Sequence, residues 1–158
     1  MGVTGSGKTL IGSTLAQVLG VAFVEGDDFH SRANVLRMAS GIPLTDADRR
    51  EWLGHLADVI RDATDRLEPI VLSCSALKRA YRDVLREAGP IQLIFLRGSP
   101  GLIADRLKQR KGHFMPESLL DSQFTALEEP SRDEGAWVCD VRQSPNEIIA
   151  AILEHIGP

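Results

Sequence analysis

The fold is decided by the stretch Gly2-Val3-Thr4-Gly5-Ser6-Gly7-Lys8-Thr9, close to the start of the sequence. It matches the pattern G-x-x-x-x-G-K-[ST] and runs directly into a helical pattern, as a phosphate-binding loop requires. In such loops the glycines let the backbone wrap a phosphate, and backbone N–H groups at the helix N-terminus attract its charge. A glycine-rich turn that only caps a helix would have no need of Lys8 and Thr9. The pattern therefore predicts Mg-ATP or Mg-GTP binding, with Lys8 on the β- and γ-phosphates and Thr9 on magnesium.

Composition narrows the class of protein. The chain has 158 residues and a net charge of -4, which suit one compact domain and argue against a nucleic-acid partner. Its apolar runs fall far short of the roughly 18 residues of a membrane span. Two cysteines, Cys74 and Cys139, are too few for a disulfide framework. We expect a cytoplasmic protein with no membrane partner.

Short β-rich runs alternate with helical patterns along the chain. Helical spacing of apolar residues covers Lys8 to Leu19 and Asp46 to Leu67, and Pro100 and Pro145 stand where helices begin. This order predicts an α/β domain with a parallel sheet, helices on both faces and right-handed crossovers. The predicted strands are Val21 to Glu25, Pro69 to Cys74, Ile91 to Arg97 and Ala136 to Val141.

One strand is missing from this pattern. A phosphate loop normally follows a buried strand, yet only Met1 precedes Gly2. Loss of a central strand would leave unpaired backbone groups on both neighbours, at about 1 to 3 kcal/mol for each buried group. We therefore expect the first strand to be absent from this sequence and hypothesise that the biological chain begins upstream. Alternatively, another segment or a partner chain fills the position.

The second group of candidate residues follows the Val21 to Glu25 strand. Asp27 can orient a hydroxyl acceptor and accept its proton, while a neighbouring carboxylate supports magnesium through water. The alternative is a solvated acidic loop that caps the next helix. His30 is a candidate ligand because it adjoins these carboxylates, although a lone histidine is commonly structural. Only Phe29 offers an aromatic surface between Asp27 and Thr45, which argues against a nucleoside acceptor.

Cations form the third group. Lys78 and Arg82 are four residues apart, which predicts two cations on one helix face for a carboxylate or phosphate of the acceptor, or else a solvated surface. Arg106 and Arg110 have the same spacing in a basic stretch that predicts a lid over about residues 106–117. One arginine would approach the nucleotide and the other would neutralise the transferred phosphoryl group. The alternative is a solvated helix end. Gln143 follows the last strand, where backbone groups can contact a base.

Together these motifs resemble the thermoresistant-type gluconokinases, over nearly the whole chain. The more specific motifs are G-x-P-L-x-D-x-D-R, C-S-A-L-K-x-x-Y-R-D and R-K-G-H-F. They begin at Gly41, Cys74 and Arg110, respectively, and are accompanied by Asp27-Asp28-Phe29-His30 and Ser122-Gln123-Phe124.

The resemblance implies a three-layer P-loop kinase fold of the shikimate kinase group, with sheet order 2-3-1-4-5 and a small lid. The activity it implies is transfer of the ATP γ-phosphate to the 6-hydroxyl of D-gluconate. Residues 1–158 would form one domain, with an acceptor-binding segment over about 27–66, and the chain would form a homodimer. The implied catalytic residues are Lys8, Asp27 and Arg110. The implied contacts are Gly2 to Thr9, Arg106, Arg110 and Gln143 for ATP and magnesium, and Asp27, His30, Arg49, Lys78, Arg82 and His113 for the acceptor.

Two alternatives to this function remain from the residues alone. Phosphorylation of shikimate or another small hydroxy acid would use the same chemistry. A nucleotide-binding module without turnover would account for the missing strand, but it would have no need for a basic lid.

Overall fold

A computed structural model describes residues 1–109 and 117–157, without the side chains of residues 117 and 118. Most of the predicted lid, including Arg110 and His113, lies outside the described residues. Within the described part, helices separate the strands as predicted. The helices are α1 Lys8–Leu19, α2 Arg32–Ala39, α3 Asp46–Arg66, α4 Arg79–Ala88, α5 Pro100–Gln109, α6 Glu117–Ala126 and α7 Pro145–Ile156. The strands are β1 Ala22–Glu25, β2 Ile70–Ser73, β3 Ile94–Arg97 and β4 Trp137–Asp140.

Local capping explains where several helices begin. The Thr45 side chain accepts from the Asp48 N–H and the Asp48 carboxylate accepts from the Thr45 N–H, which closes a capping box at the start of α3. Ser144 and Glu147 form the same arrangement at α7, with Pro145 in the first turn. The predicted starts of these helices are confirmed.

The strands form two parallel pairs. β1 pairs with β2 in the register Ala22 to Ile70, and β3 pairs with β4 in the register Ile94 to Trp137. These are the neighbours expected from the order 2-3-1-4-5 when the strand before the phosphate loop is counted first. Within the described residues no strand lies between β2 and β3.

Met1 lies in the gap between the two pairs. Its amino group donates to the Ile94 carbonyl, its carbonyl accepts from the Leu96 N–H at 2.9 Å, and the Gly2 N–H donates to the Ser75 carbonyl at 3.2 Å. The rest of the gap is a cavity of about 560 Å³ with a largely apolar lining from α1, β2 and β3. The hypothesis that the biological chain begins upstream stays a prediction.

Two apolar clusters hold the elements in place. The first joins the phosphate loop to α1, α5, α6, α7 and the second strand pair through residues such as Val3, Ile103 and Val141. The second joins α3 to α4 around Trp52 and Tyr81. Because the strands of each pair run parallel, their carboxyl ends and the loops that follow them lie at the same edge of that pair. In the described part of the chain, no helix is both long and apolar enough to span a membrane.

Candidate active site

The phosphate loop ends in a left-handed residue that starts α1. Gly7 has a φ of 98° and occupies the N-cap of α1. Residues other than glycine rarely adopt this left-handed conformation. Inside the loop, the Lys8 ammonium donates to the Val3 carbonyl at 3.1 Å. The loop therefore presents a helix N-terminus with a cation folded over its own backbone, an arrangement suited to an anionic phosphate chain.

Thr9 has an acidic partner at the same edge. Its hydroxyl donates to Glu25 Oε2 at 2.6 Å, which brings a hydroxyl and a carboxylate oxygen together at the end of β1. Magnesium prefers such oxygen ligands, usually one or two from the protein, with phosphate oxygens and water completing an octahedron. The donor set at Thr9 and Glu25 fits that ion.

Asp27 follows β1 in a 3₁₀ turn, Gly26–Phe29, that close packing fixes. A Cβ at Gly26 would lie 2.3 Å from the Ser73 carbonyl, so only glycine lets this turn approach the end of β2. The Trp52 indole N–H donates to the Gly26 carbonyl at 2.7 Å. Asp27 itself is exposed. The α2 helix is capped by the Ser31 side chain rather than by either aspartate, which leaves Asp27 available to a ligand.

His30 is held beside the same tryptophan. Its ring stacks on Trp52 with centroids 4.5 Å apart. Burial lowers the pKa of His30, while the charge of Asp27 raises it and that of Arg49 lowers it. Both charges therefore act on this ring, and burial favours its neutral form. His30 Nδ1 is buried and has no hydrogen-bond partner among the described residues.

Lys78 joins an exposed polar cluster between α3 and α4. Its ammonium donates to both oxygens of Asp46, at 2.7 and 2.9 Å, and the Tyr81 hydroxyl donates to the same carboxylate. Arg49 and Lys78 lie 5.9 and 5.8 Å from the centre of the Tyr81 ring. These hydrogen bonds lower the pKa of Asp46 and raise that of Lys78. The structure thus brings Arg49 and Lys78 together, and it adds Asp46, which the sequence interpretation did not assign.

Arg82 does not face this cluster, so the predicted pair of cations on one helix face is wrong. Its side chain is 1% exposed and makes a two-pronged ion pair with Glu134. The rest of its guanidinium donates to the carbonyls of Ala76, Leu77 and Glu128. With its donors used inside the fold, Arg82 is not a candidate for acceptor binding. The sequence interpretation did not assign Glu134, although Ser131 and Glu134 have the spacing of a capping box.

The two described nucleotide candidates after the phosphate loop lie in one region. Arg106 donates to the Val141 carbonyl, so it packs on the segment after β4 rather than forming a solvated helix end. Gln143 follows in that segment, in a turn where its N–H donates to the Asp140 carbonyl at 3.1 Å, and the residue is exposed. Arg106 and Gln143 are thus placed at the same loop.

Comparison with known proteins gives a consistent set of relatives. The family profile described as an AAA domain matches residues 1–130. The gluconokinase of Gluconobacter oxydans is 45% identical over 156 residues, which cover 98% of this chain and 88% of the relative. The thermosensitive gluconokinase of Escherichia coli is 47% identical over 156 residues, covering 98% of this chain and 82% of the relative.

Comparison with solved structures gives relatives of the same kind. A gluconokinase from Sinorhizobium meliloti superimposes with a TM-score of 0.87 at 42% identity, covering 99% of this chain and 92% of the other. A shikimate kinase from Bacteroides thetaiotaomicron gives a TM-score of 0.68 at 20% identity, covering 99% and 95% of the two chains. The latter similarity shows the fold alone, and the predicted P-loop kinase fold is confirmed.

Proposed function

This chain belongs to the gluconokinase family, and from that premise we propose that it transfers the γ-phosphoryl group of ATP to the 6-hydroxyl of D-gluconate. The products are 6-phospho-D-gluconate and ADP. The observation that carries this function is the meeting of two sites at one sheet edge. A phosphate loop opens α1, and Asp27, held by Gly26 and Trp52, follows β1, whose last residue Glu25 accepts a hydrogen bond from Thr9.

The phosphate side supplies binding and charge neutralisation. Backbone N–H groups of Gly5 to Thr9 surround the phosphates, and Lys8 leaves the Val3 carbonyl to contact the β- and γ-phosphates. Thr9, with Glu25 beside it, would hold magnesium, which neutralises charge on the phosphates when bound. Arg106 and Gln143 lie toward the nucleotide's other end, and Arg110 completes the lid.

The acceptor side supplies orientation. Asp27 accepts a hydrogen bond from the 6-hydroxyl and takes its proton as transfer proceeds. Arg49 and Lys78 bind the gluconate carboxylate, since a substrate anion can share or replace the Asp46 carboxylate that now contacts Lys78. His30 and His113 contact the polyol. The acceptor-binding segment of about 27–66 and the lid of about 106–117 belong to the same proposal.

The proposed function also includes a cellular location and an oligomeric state. A cytoplasmic location is supported by Cys74 and Cys139, both free and buried, as expected in a reducing compartment. The homodimer that the family resemblance implies stays a prediction.

The test is ADP release by the chain with Mg-ATP and D-gluconate, beside shikimate and a control without acceptor. We expect release that depends on gluconate, and Lys8→Ala should lower it by about 100-fold or more through lost transition-state charge stabilisation. Release with shikimate but not gluconate would overturn the proposed acceptor. ATP binding without release for any acceptor would favour a nucleotide-binding module.

A further inference from the structure

Asp46 is an exposed carboxylate whose orientation is fixed by donors from another segment of the chain. Its side chain is 63% exposed. Lys78 donates to both of its oxygens, at 2.7 and 2.9 Å, and the Tyr81 hydroxyl donates to one of them. Burial and the hydrogen bond to Asp46 raise the pKa of Tyr81, so its hydroxyl stays a donor. The carboxylate is therefore held in place although it lies on the surface.

The Asp46 carboxylate and the Lys78 ammonium both keep unused hydrogen-bonding capacity. A carboxylate has about four lone-pair sites, and an ammonium has three donors. Among the residues that the structure describes, the Asp46 side chain accepts three hydrogen bonds, and the Lys78 ammonium donates two, both to Asp46. One acceptor site and one donor are thus left on two groups that contact each other.

Arg49 adds a second cation beside them. Its guanidinium lies 5.9 Å from the centre of the Tyr81 ring. Its hydrogen bonds within the described part of the chain, to two carbonyls just before α3, come from Nη1 alone. The other donors of the guanidinium can bind a carboxylate. Two cations and one anion leave the cluster with a single positive charge, which matches an acceptor that carries one carboxylate.

The α3 helix connects this cluster to Asp27. Arg49 is three residues after Asp46 and three before Trp52, and residues three apart are neighbours on a helix surface. The Trp52 indole donates to the carbonyl of the residue before Asp27. The charges of Asp27 and Arg49 both shift the pKa of His30. Along α3, Asp46 and Trp52 are separated by a rise of about 9 Å, which is comparable with the length of an extended six-carbon acid.

We propose that Asp46 is a specificity-determining residue that accepts a hydrogen bond from the hydroxyl on the carbon next to the acceptor's carboxylate, while Lys78 and Arg49 bind that carboxylate. An anion beside two cations matches the neighbouring groups of a 2-hydroxy acid. Gluconate has this hydroxyl, whereas the corresponding carbon of shikimate has none. A site built to bind a hydroxyl discriminates against analogues that lack it. The inference rests on the proposed kinase function and names the feature of the acid that is selected.

The test compares D-gluconate with 2-deoxy-D-gluconate, which has the same charge and the same 6-hydroxyl. We expect the wild type to prefer gluconate in kcat/KM by about 10-fold or more. Asp46→Ala should lower this preference at least about threefold, because the lost charge affects both acids alike and only the hydroxyl contact differs. Asp58→Ala is the matched control, since Asp58 forms an exposed ion pair in the same helix, and it should keep the wild-type preference. A smaller fall in Asp46→Ala would reduce Asp46 to a support of the helix start.

Binding of the two acids, measured by calorimetry without ATP, gives a second readout that needs no turnover. The ratio of their dissociation constants should fall in Asp46→Ala as the kinetic preference does. Turnover of gluconate with both ratios unchanged in Asp46→Ala would overturn the inference and leave the proposed function intact. A fall in the binding ratio without ADP release by the wild type would overturn the proposed function and leave the role of Asp46. Binding of neither acid by the wild type would overturn both.

Discussion

Lys78 and Arg82 lie four residues apart at the start of α4, yet they belong to opposite environments. Lys78 is 31% exposed and pairs with Asp46, which is 63% exposed. Arg82 and its partner Glu134 are each 1% exposed. The exposed pair leaves its ammonium open to a substrate anion, whereas the buried pair has used its donors inside the fold.

The difference in burial explains why the two cations have different roles. Charges removed from water must be paired and hydrogen-bonded completely, so a buried arginine can serve only the fold. Arg82 binds Glu134 and three carbonyls, and through Glu128 and Glu134 it ties the chain after α6 to the first turn of α4. An exposed ion pair contributes little to stability, and its cation can exchange partners. We therefore expect Arg82 to stabilise the start of α4, which positions Lys78.

The largest expected effect comes from breaking the buried pair. Glu134→Ala leaves the Arg82 guanidinium buried without its anion, and it also removes a contact to Arg86 at 3.0 Å. We expect the free energy of unfolding to fall by about 3 to 5 kcal/mol, measured by urea denaturation. Glu129→Ala is the control, since Glu129 lies 3.8 Å from Arg97 in a half-exposed pair. A loss no larger than that of the control would mean that water hydrates Arg82.

Breaking the exposed pair should weaken gluconate binding and leave stability nearly unchanged. Lys78→Ala removes one charge-assisted hydrogen bond to the gluconate carboxylate, a loss of about 1.5 to 3 kcal/mol. We expect KM for gluconate to rise about 10- to 100-fold, with little change in KM for ATP or in the unfolding midpoint. Arg61→Ala, which breaks an exposed ion pair with Asp58 within α3, should change neither constant. An unchanged KM for gluconate in Lys78→Ala would remove Lys78 from the acceptor site.

Helix periodicity explains why the prediction that placed both cations on one helix face was wrong. Tyr81, Leu85 and Ala88 form the buried stripe of α4, and Arg82 falls on its edge, so the helical pattern already carried the signal that places it inward. Lys78 is the N-cap with extended backbone, φ -96° and ψ 149°, and the rule for residues four apart within a helix does not apply to it. Glu134 lies 52 residues from Arg82, and no local pattern links such partners.

Most of the fold was predicted correctly because its signals lie in residues that are close together in the sequence. The phosphate loop, the capping box at Thr45 and the helix starts at Pro100 and Pro145 depend on neighbouring residues alone. The strand predicted over Ile91 to Arg97 is shorter, Ile94–Arg97, and its pairing with β4 begins at Ile94, opposite Trp137. On the acceptor side, Asp27 was predicted from its place after a strand. Asp46 was not, because its role depends on contacts between two helices.

The smallest effect is the contribution of the buried pair to the dependence of stability on pH. Hydrogen bonding to Arg82 holds the pKa of Glu134 well below its ordinary value of 4.5. The unfolded chain therefore binds a proton at higher pH than the folded chain does. The stabilisation is complete above about pH 4.5 and is lost as the pH falls toward the folded pKa, by at most about 1.4 kcal/mol for each pH unit.

Comparison of the wild type with Glu134→Gln isolates this dependence, because the amide does not titrate. The gap between their unfolding free energies should stay constant from pH 7 to about 5 and then narrow toward pH 3, as protonation of Glu134 brings the wild type closer to the variant. A gap that stays constant down to pH 3 would mean that Glu134 titrates alike in the folded and unfolded chains, and the contrast between the two ion pairs would then rest on hydrogen bonding rather than on charge.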